Sequence, residues 1–230
     1  MTTQTDLPIL YSFRRCPYAM RARLAIASSK TPVELREILL RDKAQAFLDT
    51  SPSATVPCLK TEEQVLDESL DVMLWALEQS DPEGWLDMPP EGHALISEAD
   101  GPFKAALDRT KYHTRYGSDP EEERAKANVF LAKLDAQIGD KAFLFKDTPS
   151  LADMAILPFV RQFAFVDKAR FDAEPLGNLK RWLESFLVSD LFTHIMPKYP
   201  VWSPQDAPTI FPSRDILLQI ENPRRNLTTD

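Results

Sequence analysis

The feature that most restricts the fold of this 230-residue chain is a change in hydrophobic pattern near residue 82. Before it, stretches with strand spacing alternate with stretches of helical spacing. After it, every patterned stretch has helical spacing. A sheet covered by helices and a helix-on-helix core are different layer architectures, so the break predicts two domains.

In the first part, LPILYSF (7–13) predicts a strand that enters a turn at Arg14 and Arg15. CPYAMRARLAIASSK (16–30) predicts a helix, with Met20, Leu24 and Ala27 recurring on one apolar face. VELREIL (33–39) reads as a strand and DKAQAFLDTS as a short helix. TVPCLK and QVLDES form a candidate hairpin, and LDVMLWALEQ a closing helix. The order β-α-β-α-β-β-α predicts a thioredoxin-like module over residues 1–80. DPEGWLDMPPEG, rich in Pro, Gly and acid, reads as a linker beginning at residue 81 and ending near 91. Residues 92–230 are then expected to form an all-helical domain, a candidate substrate domain on the resemblance given below, with a Pro-rich C-terminal extension. Its expected helices are 93–116, with Ile96, Phe103 and Leu107 inward; 121–139, with Val129, Phe130 and Leu134 inward and Gly139 as a stop; 150–165, the buried central helix; and 178–192. The tail beyond Met196, with Pro197, Pro200, Pro204, Pro208 and Pro212 along it, is expected to run irregularly over the surface, with a short helix at 214–220.

Composition removes several function classes. Six glycines, and neither G-x-G-x-x-G nor G-x-x-x-x-G-K-S/T, leave no phosphate cradle. A formal charge of -8 without a basic stripe argues against nucleic acid. MTTQTDLP is not a signal sequence, and no apolar run approaches the ~18 residues of a spanning helix, so no membrane partner and a cytoplasmic location are expected. Cys16 and Cys58 alone make no disulfide framework. His93, His113 and His194 are scattered, and no metal site is expected.

The chemistry concentrates in RRCPYAMRAR (14–23). Proline suits the first helical position because its missing N–H has no intrahelical partner there. Cys16 is then the N-cap, its sulfur facing unpaired N–H groups and the positive end of the helix dipole. Such a field favours thiolate, and cysteines at such sites ionise at roughly 3.5–7.5. Position 19 is alanine, so Cys16 cannot close a C-x-x-C disulfide. A mixed disulfide on Cys16 must be resolved by another thiol, and a small thiol cofactor is the natural candidate. Cys58, next along the strand from Pro57, is expected to turn into the core. Ser150-Leu151-Ala152-Asp153 is a capping-box variant with a structural role.

YSFRRCPYAMRARL resembles the active-site segment of cysteine-type glutathione transferases, especially the omega class. It is also similar to the C-P-Y-C segment of glutaredoxins, with Tyr18 kept and the second cysteine replaced. Val56-Pro57 resembles the superfamily's cis V-P dipeptide, whose valine backbone pairs with the cysteinyl part of glutathione. Glu68-Ser69 resembles the pair that holds the γ-glutamyl end. Lys43 falls where omega-class proteins place a lysine for the glycyl carboxylate. FLFKDTPSLADMAILP is similar to the stretch leading into the superfamily's core helix.

The resemblance implies a glutathione transferase fold: a thioredoxin-like α/β domain followed by an all-α domain. It implies glutathione as cosubstrate, Cys16 as catalytic residue, and Tyr18, Lys43, Val56, Pro57, Glu68 and Ser69 as its binding set. The partners implied are a small-molecule electrophile, disulfide or glutathionyl adduct, and a second copy in a homodimer. Phe13, Tyr112, Tyr116 and Trp202 are candidates for lining the acceptor site. Three readings stand at this point: a thiol transferase or reductase acting through Cys16, a conjugating transferase in which Cys16 or Tyr11 activates glutathione, and a non-enzymatic binding module.

Overall fold

The computed structural model describes residues 7–213 together with 216 and 217, so most of the expected helix at 214–220 lies outside the described residues. The chain divides into two compact units, one formed by residues up to Pro82 and from Ser189 onward, the other by Glu83–Val188.

The first unit is built on a five-stranded sheet of order β4-β3-β1-β2-β5. Its strands are β1 (Ile9–Ser12), β2 (Val33–Glu37), β3 (Cys58–Lys60), β4 (Val65–Leu66) and β5 (Ile210–Phe211), and its helices α1 (Pro17–Ser29), α2 (Gln45–Leu48) and α3 (Ser69–Gln79). β1 and β2 run parallel, with Leu10 beside Leu35, because α1 supplies the crossover. β3 is antiparallel to β1, with Tyr11 opposite Cys58, and β4 is antiparallel to β3.

Helix α1 packs on α3. Its alanines Ala19, Ala22, Ala25 and Ala27 are fully buried, and their small size lets neighbours approach closely. The expected stripe of Met20, Leu24 and Ala27 is therefore only part of a helix buried nearly all round, Arg21 and Arg23 included.

The tail departs from the sequence reading, which gave it to the helical domain. Residues Asp190–Ile195 form a short helix, α11, packed on α1, and Ile210–Phe211 pair antiparallel with β2 as the fifth strand. Between them Trp202 N–H donates to Glu37 O at 2.9 Å. Proline spacing hides this, because a two-residue edge strand leaves no period to read.

In the second unit the expected helix over 93–116 is broken into α4 (Glu91–Glu98), a π-helical turn (Ala99–Phe103), α5 (Lys104–Lys111) and α6 (His113–Tyr116). Pro102 sits in the π turn, where its ring and missing N–H are incompatible with an unbroken α-helix. The widened turn keeps Phe103 inward, its ring 5.0 Å from that of Phe130 and 5.8 Å from that of Phe163.

Helix α7 (Pro120–Ile138) is capped by Asp119 and ends at Gly139, whose φ of 55° favours glycine. Its inner stripe is Ala127, Phe130, Leu131, Leu134 and Ile138; Val129 was expected inside and is 71% exposed, lying off that stripe. Helix α8 (Leu151–Ala164) is the buried centre of this unit. A further helix, α9 (Lys168–Ala173), was not read from sequence, and α10 (Gly177–Leu187) stops short of 192. Ser189 caps the next helix instead, accepting from Phe192 N–H at 3.2 Å. No helix among the described residues is long and apolar enough to cross a membrane.

Asp153 organises the start of α8. Wholly buried, its carboxylate accepts from Ser150 N–H (2.9 Å), Ser150 hydroxyl (2.6 Å), Leu144 N–H (2.9 Å) and Trp182 indole N–H (3.0 Å). Three backbone or ring donors would be left without partners in Asp153→Ala. That variant is expected to lose about 3–5 kcal/mol of stability, read by urea unfolding; a loss under ~1 kcal/mol would show the carboxylate to be dispensable.

Candidate active site

Strand β1 ends at Ser12, and the chain turns through Phe13–Cys16 into α1. The turn is closed by Cys16 N–H donating to Phe13 O at 3.0 Å, and Cys16 O accepts from Met20 N–H at 2.9 Å. Cys16 has extended backbone (φ −74°, ψ 124°) and occupies the N-cap, with Pro17 following as the first helical residue. Its side chain makes no capping hydrogen bond. Instead the half-buried thiol donates to Val56 O at 3.6 Å, a long sulfur contact across forty residues of sequence. The Val56–Pro57 bond is cis. Cys16 and Val56, two of the expected site residues, are thus side by side.

The loop entering Val56 is held by Asp67. Its carboxylate accepts from Ser51 hydroxyl and Ser53 N–H, both at 2.7 Å. Burial opposes the Asp67 charge, but donation from Ser53, Ser51 and Cys58 outweighs it and holds the carboxyl below its usual value. The same loop carries Ala54 at φ 53°, a left-handed conformation that costs a non-glycine residue roughly 1 kcal/mol.

Glu68 stands at the N-cap of α3 with no side-chain capping bond, and its side chain is exposed. Ser69 is 2% exposed, and its hydroxyl accepts from Arg21 Nε at 3.0 Å. The hydroxyl expected to face a ligand is therefore engaged by α1. The Arg21 guanidinium lies over the Tyr18 ring, 5.2 Å from its centroid, which links Tyr18, Arg21 and Ser69. Lys43 is half-buried between β2 and α2, and no hydrogen bond or ion pair joins it to another described residue. Of the aromatic candidates, Phe13 lies under Arg15, Trp202 stacks on Arg36 with 4.2 Å to its ring, and Tyr112 and Tyr116 are exposed on the other unit.

Sequence reasoning missed Arg23 and Glu37. Arg23 is fully buried, donating from Nε to Ile195 O (3.1 Å) and from Nη2 to Arg14 O (2.8 Å), with Nη1 on the Ser12 hydroxyl. Glu37, at the end of β2, accepts from Arg14 N–H at 2.7 Å. The available signal was that α1 carries only two charged residues, Arg21 and Arg23, and no polar face to hold them. Among the described residues no three His, Cys, Asp or Glu side chains are grouped to hold a metal.

A family model described as "Glutathione S-transferase, N-terminal domain" matches residues 10–84, and one described as "Glutathione S-transferase, C-terminal domain" matches 121–185, together more than half of the chain. The chain belongs to the glutathione transferase superfamily. It is 28% identical over 182 residues to a "Probable glutathione S-transferase DHAR2, chloroplastic" of Oryza sativa subsp. japonica, a match covering 78% of this chain and 59% of that protein. It is 24% identical over 185 residues to "Glutathione S-transferase omega-1" of Mus musculus, covering 76% and 74%. The fold is shared with a glutathione transferase family member from Pseudomonas fluorescens solved with two glutathione bound, at a TM-score of 0.73 and 16% identity, covering 85% of this chain and 95% of that one.

Within this superfamily a tyrosine near the end of β1 is the rival to the cysteine. Here Tyr11 is 1% exposed; its hydroxyl accepts from Arg36 Nη1 at 3.1 Å and donates to Ala46 O at 3.4 Å. Both bonds hold its hydroxyl in the core, in the cluster against which Cys16 packs. Cys58 is fully buried in the cluster with Tyr11 and Phe47, and burial, aided by Asp67, pushes its thiol up to about 12.

Asp67→Asn tests the loop lock. Because the folded carboxyl ionises below its usual value, its contribution is present above that value and is lost as pH falls through the lowered one. The variant is expected to be about 1–2 kcal/mol less stable near pH 7, the gap closing in acid. Urea unfolding at neutral pH and near pH 3 reads this; a gap that persists unchanged in acid contradicts it.

Proposed function

We propose that this chain is a glutathione-dependent thiol transferase or reductase in which Cys16 is the sole nucleophile. The observation that carries the reading is the pairing of a half-exposed thiol at the start of α1 with no second cysteine able to resolve it. Position 19 is a buried alanine, and Cys58 is sealed in the core at an ionisation near 12. A disulfide formed on Cys16 must therefore be resolved from outside, and glutathione is the resolving thiol.

The reaction balances with two glutathiones. Cys16 thiolate attacks the glutathione sulfur of a glutathionylated substrate, forming a Cys16–glutathione disulfide and expelling the substrate thiolate, which takes a proton. A second glutathione thiolate attacks that disulfide, giving oxidised glutathione and restoring Cys16. With a dehydroascorbate-type substrate the same two thiols supply the two electrons.

The binding set is the one the resemblance implies, and the neighbourhood of Cys16 and Val56 supports part of it. The Val56 backbone, beside Cys16, receives the cysteinyl segment as a short added strand, and Pro57 shapes that edge. The γ-glutamyl carboxylate meets the N-terminus of α3, where Ser69 contributes its backbone N–H and a hydroxyl that accepts from Arg21 and keeps its own proton to donate. The exposed Glu68 carboxylate receives the ammonium. Tyr18 borders the site, and Lys43 receives the glycyl carboxylate. The location we assign is the cytoplasm, and the assembly a homodimer.

The conjugating alternative through Tyr11 is disfavoured by its two bonds in the core. Treatment with oxidised glutathione followed by intact-mass measurement is expected to show one glutathione adduct in the wild type and none in Cys16→Ala. Exchange activity is expected to vanish with the adduct, and activity surviving in Cys16→Ala would end this reading. Glu68→Ala is expected to raise the glutathione KM roughly tenfold with little change in kcat, since it binds a part of the ligand remote from the sulfur. An unchanged KM removes Glu68 from the site.

A further inference from the structure

Two buried charges grip the turn that presents Cys16. Residue Arg14 sits in the middle of that turn. Its carbonyl accepts from Arg23 Nη2 at 2.8 Å, and its N–H donates to Glu37 Oε1 at 2.7 Å. Arg23 is on α1 and Glu37 at the end of β2, so a cation and an anion from different elements hold the same residue. Neither is spent on the other: among the described residues the Arg23 guanidinium bonds only neutral oxygens, those of Ser12, Arg14 and Ile195. The second oxygen of Glu37 is buried with no hydrogen-bond partner among the described residues. Such an arrangement is costly, because each buried charge has lost its water without a contact ion pair in return.

The tail closes the same cluster. Ile195 O, at the end of α11, accepts from Arg23. Met196 O accepts from the Arg14 side chain at 3.4 Å, and Trp202 N–H bonds Glu37 O.

We propose that Arg23 and Glu37 are a pair of opposed positioning residues for Cys16, clamping its turn through Arg14 while Arg23 favours the thiolate and Glu37 restrains it. The proposal rests on Cys16 being the functional thiol. Arg23 from α1 is the group all the others act on: Arg14 from the turn, Glu37 from β2, Tyr199 from the tail and Cys16 itself, and Glu37 is coupled to Arg14, Arg23 and Tyr199. Burial is the main influence on Arg23, lowering its ionisation to about 10, and Glu37, Cys16 and Tyr199 support its charge. Electrostatic coupling is reciprocal, so a cation supported by Cys16 also favours the Cys16 thiolate. Burial pushes the Glu37 carboxyl up, against the pull of Arg14 and Arg23. Glu37 is ionised once pH exceeds that raised value, and its negative charge is then bonded to Arg14 N–H, two residues before Cys16.

Opposite charges bonded to the carbonyl and the N–H of Arg14 would move Cys16 ionisation in opposite directions, and a packing role would not produce that. The test is the rate of Cys16 alkylation by iodoacetamide on the full chain, followed by intact mass from about pH 5 to pH 10 without glutathione. Arg23→Met is expected to move the midpoint up by about one pH unit, roughly tenfold slower alkylation on the acid side. Glu37→Gln keeps an acceptor for Arg14 N–H and removes the charge; it is expected to move the midpoint down, about threefold faster on the acid side. Arg23→Lys, which keeps the charge and loses the fork, is expected to stay nearer the wild type than Arg23→Met. Unmoved midpoints in Arg23→Met and Glu37→Gln, or movement of both in one direction, overturn the proposal. If Arg23→Met lacks a cooperative unfolding transition, Glu37→Gln decides: a fall supports the clamp, and no change or a rise overturns it. Because glutathione is absent, this outcome is independent of whether Cys16→Ala loses exchange activity.

Discussion

The β1–α1 turn is the constraint on which the first unit depends. A thiol at the first turn of a helix is useful only if the turn keeps one shape, and a four-residue connection has little packing of its own. Here the shape is imposed from outside, by buried charged groups bonding to Arg14 and by the return of the chain from α11 to β5. The free energy of burying Arg23 and Glu37 without direct pairing is offset by packing around α1, whose alanines admit close neighbours on every side. Charge buried at a turn that carries a thiol is a pattern common where chemistry is done.

The opposite wall of the site is arranged by a different device. Asp67 is a local carboxylate, and its work is to fix a loop with an alanine in left-handed conformation. That loop delivers the Val56 carbonyl to Cys16. Asp67 also precedes Glu68 and Ser69, so one residue ties the Val56 edge to the start of α3. Arg21 completes the tie by reaching from α1 to the Ser69 hydroxyl. The Cys16 turn, the Val56 edge and the α3 N-terminus are thus linked through the side chains of Asp67 and Arg21.

The second unit depends on its central helix. α8 is buried over most of its length and gains its N-terminal satisfaction from Asp153, which also receives Leu144, nine residues before it, and Trp182, twenty-nine after. Pro102 marks where a longer helix gives way to a π turn, and the aromatic contact of Phe103 with Phe130 and Phe163 shows what the altered geometry preserves.

Much of this was legible in the sequence. Spacing alone determined the alternation that builds the sheet, the helical second part, the division near residue 82, and Cys16 followed by Pro17 at a helix start, because these are local properties set by side-chain period and backbone freedom. The breaks at Pro102 and Ser189, the outward turn of Val129 and the helix at Lys168–Ala173 were not, since short or interrupted elements carry too few residues for a period to stand out. Only the tertiary structure decided that Ser69 spends its hydroxyl on Arg21, that Tyr11 is held by Arg36, and that the tail returns to pair with β2. It alone also decided that Arg23 and Glu37 meet at Arg14. Each of these joins residues distant in sequence through a buried polar contact. Which partner a buried charge finds is set by what the packed chain brings within about 3 Å, and no local pattern encodes that.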